Sequence, residues 1–179
     1  MVKLALRLAA IALVLVAILT VMTRPHVAHI VVEKAARRLR LLDAEGAMIA
    51  EYPIVIGRAA AGTKEVEGDR RTPEGDYFVC VKNPNSKFHL SLGLNYPNPL
   101  DARRGFAGGL ITAEQLAAIE TAEHERRRPP WDTPLGGEIF IHGHGDGRGG
   151  TAGCVAVSDA AIDEIYALVY VGTPVTIRP

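Results

Sequence analysis

The sequence predicts a mainly β domain with two helices, which is an α+β or β-sandwich-like fold. Short apolar segments separated by turn residues follow one another through the first half of the chain, as expected for strands. Two segments in the second half carry the signals of helix N-termini. Strands that succeed one another, with helices added late, are typical of α+β domains and not of alternating βαβ units.

The composition fits one globular domain and excludes several classes of function. The chain has 179 residues, of which 48% are hydrophobic, so it is long enough to bury a core. Its formal net charge is +0, which argues against nucleic acid as the main partner. Its 2 cysteines can form neither a disulfide-rich scaffold nor a four-cysteine zinc site.

An apolar run without charges covers residues 8–23 and follows Lys3 and Arg7. This layout is typical of a secretory signal or a signal-anchor. Because no small-x-small cleavage site follows the run, we expect residues 1–28 to be a retained transmembrane anchor and linker, with a cleaved signal peptide as the alternative. The domain at residues 29–179 is then expected outside the cytoplasm.

The candidate strands are short and alternate with turn residues. They are residues 29–33, 37–42, 47–56, 76–82, 88–94, 138–141 and 175–178. Pro53 marks an edge or a bulge in the third of them, because proline cannot donate a hydrogen bond to a ladder. Pro97 and Pro99 likewise prevent a ladder from continuing past the fifth strand.

Two helices are predicted in the second half, each with a polar N-cap. Thr112 with Gln115 three residues later forms a capping box, and this helix is expected to stop before Pro129. Ser158 caps the second helix, which Gly172 ends. Its apolar residues recur at i, i+3, i+4 and i+7, the pattern of a helix packed on a core: Ile162, Ile165, Tyr166 and Val169.

The residues that can carry chemistry lie between these helices, in a glycine-rich stretch. Residues 136–153 contain eight glycines in eighteen positions, which favours close approach of the backbone to a ligand. The strand at 138–141 leads to His142, and the stretch ends just before Cys154. A histidine upstream of a lone cysteine in such a loop is a candidate base for a thiol nucleophile.

A thiol needs such a base because its pKa is about 8.5 when it is free. The amides of Gly153 and Cys154 are candidate donors to the oxyanion of a tetrahedral intermediate. On spacing alone, a purely structural interpretation is equally supported, in which Cys154 is a small buried residue and His142 is a histidine at the end of a strand. Cys80 lies in the middle of an apolar strand and is expected in the core, and a disulfide between the two cysteines would remove the nucleophile.

His144 is a second candidate for the base. If the strand runs on through His142 and His144, both imidazoles point to one face, because side chains alternate with period two. His142 is favoured because it directly follows apolar strand residues, whereas His144 lies between two glycines. His142, His144 and Asp146, together with Cys154, can also be interpreted as zinc ligands. A zinc-dependent hydrolase is therefore an alternative to the cysteine-dependent enzyme.

Several blocks of the sequence resemble a known family. Ile141-His142-Gly143, followed by Thr151-Ala152-Gly153-Cys154-Val155, resembles the active-site motif of L,D-transpeptidase (YkuD) catalytic domains, in which an HG pair precedes an S/T-x-G-C loop. Residues 71–77 (RTPEGDY), 83–90 (NPNSKFHL) and 171–175 (VGTPV) resemble the YafK-like branch of that family. The resemblance covers residues 31–179.

The resemblance implies a mixed β-sandwich and an enzyme that acts on peptidoglycan stem peptides in the bacterial cell envelope. It implies Cys154 as the nucleophile that forms a thioester, His142 as proton donor and acceptor, and Thr151 and Gly153 as parts of the loop that shapes the oxyanion site. It implies transfer of the acyl group to an amine, with no metal or organic cofactor. Together with the anchor, it places the expected catalytic domain in the periplasm, held at the inner membrane, or secreted if the signal is cleaved.

The motif departs from the family's usual pattern at two positions. Many members have His before the Gly-Cys pair and Arg or Asn two residues after the cysteine, where this chain has Ala152 and Ala156. Relatives on the YafK-like branch include a hydrolase that detaches lipoprotein from peptidoglycan. Hydrolysis by the same Cys-His chemistry is therefore the alternative to transpeptidation.

Overall fold

The computed structural model describes residues 26–59, 61–145 and 149–179. Within these residues the chain forms eight strands and three helices. In chain order they are β1 (His29–Glu33), β2 (Arg38–Leu42), β3 (Met48–Pro53), β4 (Gly75–Ser86), β5 (His89–Leu94), α1 (Pro99–Ala107), α2 (Ala113–His124), β6 (Phe140–His142), β7 (Val155–Ala156), α3 (Asp159–Leu168) and β8 (Pro174–Arg178).

The strands form a mixed sheet in the order β3-β2-β1-β8-β4-β5-β6-β7. β1 is parallel to β8 and β6 is parallel to β7, whereas the other neighbours are antiparallel. β4 belongs to both halves of the sheet, because its residues 75–78 pair with β8 and its residues 79–86 pair with β5. A bridge from Val55 to Ala156 also brings the chain after β3 beside β7. This mixed α+β architecture confirms the predicted fold class.

The core follows from the alternation of apolar side chains along the strands. Leu39 and Leu41 of β2 are fully buried, while their neighbours on the strand are partly exposed, as expected when one face of a sheet is covered. The helix α3 contributes Ile162 and Ile165 to the same core. A second, smaller cluster lies under α1 and α2: Ala102, Ile111, Ile119 and Leu135.

Helix α1 was not predicted from the sequence, and it corrects the expectation of two helices. The side chain of Asn98 accepts hydrogen bonds from the backbone N–H groups of Leu100 and Asp101, and Asp101 accepts from the N–H of Asn98 in return. Pro99 occupies the first turn, where its missing N–H has no intrahelical partner to lose. The prolines were interpreted only as breakers of the preceding ladder, although Pro99 also begins a helix.

The two predicted helices are confirmed with their caps. The hydroxyl of Thr112 accepts from the N–H of Gln115, and the Gln115 side chain accepts from the N–H of Thr112. The side chain of Ser158 accepts from the N–H of Ala161 at the start of α3.

The strand boundaries differ most at the hairpin between β4 and β5. A turn was expected at residues 83–87, but β4 continues through irregular pairing to Ser86, so that only residues 87–88 connect the two strands. The expected strand at 138–141 is β6 at Phe140–His142, and this shift puts His142 inside the strand.

No helix within the described ranges is long and apolar enough to cross a membrane. The apolar run at residues 8–23 lies outside those ranges. The anchor and its orientation therefore stay predictions.

Candidate active site

A cavity of about 780 Å³ lies over one face of β6 and β7. Its walls come from the β4–β5 hairpin, from β6, and from the loop that leads into β7. His142, His144, Thr151 and Cys154 all line it. The fold therefore brings four of the five site residues predicted from the sequence to one cavity, and Gly153 lies between two of them in the chain.

The pairing of β6 with β7 explains why His142 and Cys154 share a face. The two strands are parallel, and His142 pairs with Ala156. Side chains two residues apart along a strand point the same way. Cys154, two residues before Ala156, therefore projects to the same side as His142, and both side chains reach the cavity.

The ring of His142 is buried and held in one orientation. Its Nδ1 lies 2.6 Å from the carbonyl oxygen of Gly143. A carbonyl only accepts hydrogen bonds, so Nδ1 carries the proton and the lone pair of the neutral ring is on Nε2. The ring also stacks on Phe88, with centroids 4.5 Å apart. Burial lowers the pKa of His142 by more than the hydrogen bond to the Gly143 carbonyl raises it, and His144 lowers it further, so the neutral imidazole, which is a base, is favoured.

The thiol of Cys154 lies against the beginning of β6. Its Sγ is 3.5 Å from the carbonyl oxygen of Glu138. Burial raises the pKa of the Cys154 thiol, whereas the Phe140 N–H favours the thiolate. The resting group is thus a neutral thiol, which needs a base in order to react.

Thr151 shapes the loop that carries the thiol. Its hydroxyl donates to the carbonyl of Cys154 at 2.7 Å and accepts from the N–H of Gly153 at 3.0 Å. The N–H of Gly153, one of the two candidate oxyanion donors, therefore already has a partner inside the loop. The N–H of Cys154 is the other candidate.

The RTPEGDY block supports this loop from behind and does not line the cavity. Gly153 has φ +141°, and a Cβ there would lie 2.8 Å from the carbonyl oxygen of Arg71. The next residue, Thr72, accepts from the N–H of Gly57, while its carbonyl accepts from the ammonium group of the buried Lys34. The block is thus a scaffold for the nucleophile loop.

His144 is placed differently from His142. The strand ends at His142, and His144 has φ +59°, so the two side chains do not continue one alternating strand. Its backbone N–H donates to Asp159 Oδ1 at 2.7 Å, and its Nδ1 lies 3.0 Å from the same oxygen. These contacts with the first residue of α3 fix the half-exposed ring despite the glycines on both sides.

Phe88 and Lys87 line the cavity, although sequence reasoning assigned neither to the site. Both belong to the NPNSKFHL block, which was noted only as a resemblance. The available signal was an aromatic residue and a cation at the tip of a predicted hairpin. It did not indicate that the tip folds over His142.

The other chemical candidates lie apart from this arrangement. Cys80 and Cys154 are both free thiols, and burial raises the pKa of Cys80 to about 11. No group of three or more His, Cys, Asp or Glu within the described residues is arranged to hold a metal ion. Asp146, one of the candidate zinc ligands, lies outside those residues.

Known proteins share this fold. Residues 27–177 match the family model of the YkuD L,D-transpeptidase catalytic domain. No curated protein matches the chain in sequence at a significant level. The solved structures that resemble it include the helical cell shape determining protein Pgp2 from Campylobacter jejuni, with 23% identity over 86% of this chain and 47% of that chain and a TM-score of 0.58.

Two further structures share the fold, the first to a similar extent and the second more distantly. Bd1075 from Bdellovibrio bacteriovorus is 25% identical over 86% of this chain and 48% of that chain, with a TM-score of 0.57. An L,D-transpeptidase from Xylanimonas cellulosilytica is 16% identical over 87% of this chain and 62% of that chain, with a TM-score of 0.51. The chain spans about half the length of Pgp2 and of Bd1075.

Proposed function

The chain belongs to the YkuD family of L,D-transpeptidase catalytic domains, and we propose that it is a cysteine-dependent L,D-transpeptidase acting on peptidoglycan stem peptides. One observation carries the proposal beyond family membership. The carbonyl of Gly143 fixes the proton of His142 on Nδ1, which leaves Nε2 as the proton acceptor in the cavity that Cys154 also lines.

The proposed first half-reaction forms a thioester. Nε2 of His142 takes the proton of the Cys154 thiol as the sulfur attacks the carbonyl carbon of a peptide bond beside diaminopimelate. The carbonyl π electrons move to oxygen, and the N–H of Cys154 is the proposed donor to this oxyanion. When the tetrahedral intermediate collapses, the C–N bond breaks and the leaving amine receives the proton from His142.

The second half-reaction reverses these roles with an amine as acceptor. The amine of a second stem peptide loses a proton to Nε2 of His142 and attacks the thioester carbonyl. The C–S bond breaks, the thiolate takes back the proton, and a new amide joins the two peptides. The neutral imidazole that burial favours is the form that both proton abstractions require.

Hydrolysis is a second candidate, and the cavity wall supplies the observation that favours it. Ala152 and Ala156 line the cavity with methyl groups, so these positions offer no side-chain hydrogen bond to hold an incoming amine. Attack of water on the same thioester, with its proton taken by His142, releases a carboxylate and restores the thiol. The acceptor, and not the nucleophile, distinguishes the two reactions.

We also propose that the catalytic domain works in the periplasm, anchored to the inner membrane through residues 1–28. The support is the charge-free run at 8–23 behind two basic residues, and a substrate that lies outside the cytoplasm.

The decisive experiment incubates the full chain with purified disaccharide-tetrapeptide and measures the products by mass. A cross-linked dimer, or exchange of the terminal residue for an added D-amino acid, supports transpeptidation, whereas loss of the terminal residue alone supports hydrolysis. Cys154→Ala is expected to abolish both products and Cys80→Ala to retain them. Turnover that survives in Cys154→Ala contradicts the proposed chemistry.

A further inference from the structure

The described residues that line the active-site cavity include one Lys or Arg side chain, that of Lys87. It lies in the connection between β4 and β5, between Ser86 and Phe88, which also line the cavity. Its ammonium nitrogen is 5.1 Å from the centre of the Phe88 ring, and that ring stacks on His142. The positive charge is therefore held at the end of the cavity where His142 lies.

Two neutral donors lie on the same hairpin. Asn83 Oδ1 accepts from the backbone N–H of Asn85 at 2.9 Å, and Ser86 Oγ accepts from that of Phe88 at 3.1 Å. Because these oxygens are used inside the hairpin, the groups that Asn83 and Ser86 can offer to a ligand are an amide N–H and a hydroxyl O–H. Both residues line the cavity with Lys87. A cation with neighbouring neutral donors is suited to bind a carboxylate.

The acidic residues on α3 near the hairpin tip do not line the cavity. Glu138 lines the cavity before β6 begins, at the opposite end of that strand from the hairpin tip. Asp159 and Asp163 on α3 each contact a histidine ring, at 3.0 and 2.7 Å. Within the part of the chain that the structure describes, Lys87 takes part in no ion pair. Among the described lining residues, the ammonium group of Lys87 thus lies at the His142 end of the cavity and the carboxylate of Glu138 at the other end.

We propose that Lys87, assisted by Asn83 and Ser86, forms a subsite for a free carboxylate of the peptide substrate and so fixes the direction in which the peptide lies across Cys154. This inference rests on the proposed function and names the substrate group that this end of the cavity recognises. Three free carboxylates of an unamidated tetrapeptide stem have the required chemistry: the terminal carboxylate, the carboxylate on the diaminopimelate side chain, and the α-carboxylate of the γ-linked glutamate.

The test compares four disaccharide-tetrapeptide probes on the full chain in mild detergent. One has all three carboxylates, and each of the other three has one of them replaced by a carboxamide. For the first probe, Lys87→Met is expected to raise KM about tenfold, as expected for a lost charge-assisted hydrogen bond, with kcat within about twofold. Lys87→Arg is expected to restore most of the affinity. The probe on which Lys87→Met has no effect identifies the carboxylate that is bound.

Arg103→Met is the matched control, because Arg103 is an exposed cation that pairs with Glu120 on the helices and does not line the cavity. It is expected to leave KM unchanged for all four probes. An equal rise in KM for all probes with Lys87→Met, or a loss in kcat alone, overturns the inference.

A binding measurement separates this inference from the proposed function. In the Cys154→Ala background, Lys87→Met is expected to raise the Kd of the unmodified probe about tenfold, whether or not the native chain turns the probe over. Absence of turnover by the native chain contradicts the proposed function. An unchanged Kd in the double variant overturns the role of Lys87.

Discussion

Burial acts on the two candidate catalytic residues in opposite directions. It lowers the pKa of His142 and raises that of Cys154, so the neutral imidazole and the neutral thiol are both favoured at rest. A neutral pair can react only if the proton moves as the sulfur attacks. The orientation of the imidazole, which the Gly143 carbonyl sets, therefore matters more than a preformed thiolate.

The first prediction identifies the base by comparing His142→Ala with His144→Ala. His142→Ala is expected to lower the rate of Cys154 acylation by about 10² or more, the usual range for loss of a general base. His144→Ala is expected to cost about tenfold, because it removes the ring's contact with Asp159 at the cavity rim but leaves the proton acceptor in place. The measurement is the second-order rate with a carbapenem, a strained acyl donor, followed by mass. A larger loss in His144→Ala reverses the assignment.

The pH profile of the same reaction adds a second readout. The acylation rate requires neutral His142, and its pKa lies below the ordinary value of 6.5. The rate is therefore expected to hold as pH falls through 6.5 and to decrease only at lower pH. In His142→Ala this decrease should disappear along with most of the rate.

The second prediction concerns Gly153, where both backbone and space exclude a side chain. Gly153→Ala is expected to lower the acylation rate at least tenfold, because the new Cβ meets the Arg71 carbonyl at 2.8 Å and displaces the loop that carries Cys154. Gly46→Ala is the control: Gly46 also has a positive φ, but no atom lies within 4 Å of its added Cβ. This control is expected to cost about 1 kcal/mol of stability and no acylation rate. Equal rates in the two variants contradict the role given to the loop.

Among the secondary-structure elements, α1 provides the third prediction. Asn98→Ala removes the side chain that accepts from two N–H groups at the start of α1 and donates to the Asp76 carbonyl. The free energy of unfolding is expected to fall by about 1–2 kcal/mol, the range for a lost N-cap, as measured by chemical denaturation. The acylation rate should not change, because α1 does not line the cavity. Thr112→Ala, at the exposed cap of α2, is expected to lower the free energy of unfolding by less, because its cap is open to water whereas Asn98 is buried. An equal loss in the two variants would contradict this explanation.

The helices also indicate how far the sequence could predict the structure. Thr112 and Ser158 were found because a polar cap followed by apolar periodicity is a local signal. Asn98 was not predicted as an N-cap because the prolines around it signal the end of a strand as well as the start of a helix. The position of Phe88 over His142 had no local signal, since it depends on β5 pairing with β6 about fifty residues later in the chain.

At the scale of the whole molecule, the sheet divides at β4 into one half that supports the fold and another half that carries the candidate active site. The strands β1, β2, β3 and β8 lie on one side of β4, and the strands that form the cavity lie on the other. The RTPEGDY block joins the two halves, since Lys34 after β1 donates to the carbonyl of Thr72 behind the nucleophile loop. A block that the sequence analysis gives only as a resemblance is thus structural in its contacts.

The last prediction concerns the orientation of the whole chain. Lys3 and Arg7 precede the apolar run, while Arg37, Arg38 and Arg40 follow it, so counting charges alone does not decide which end stays inside. The structure shows that the three later arginines lie at and in β2 of a folded domain, and domains translocate largely regardless of their charge. We therefore expect the N-terminus in the cytoplasm and the domain in the periplasm. Alkaline phosphatase fused after Pro179 should be active, and the same fusion without residues 1–28 should be inactive. An inactive full-length fusion would contradict export. A membrane-free protein that begins near residue 28 would contradict the retained anchor but not export.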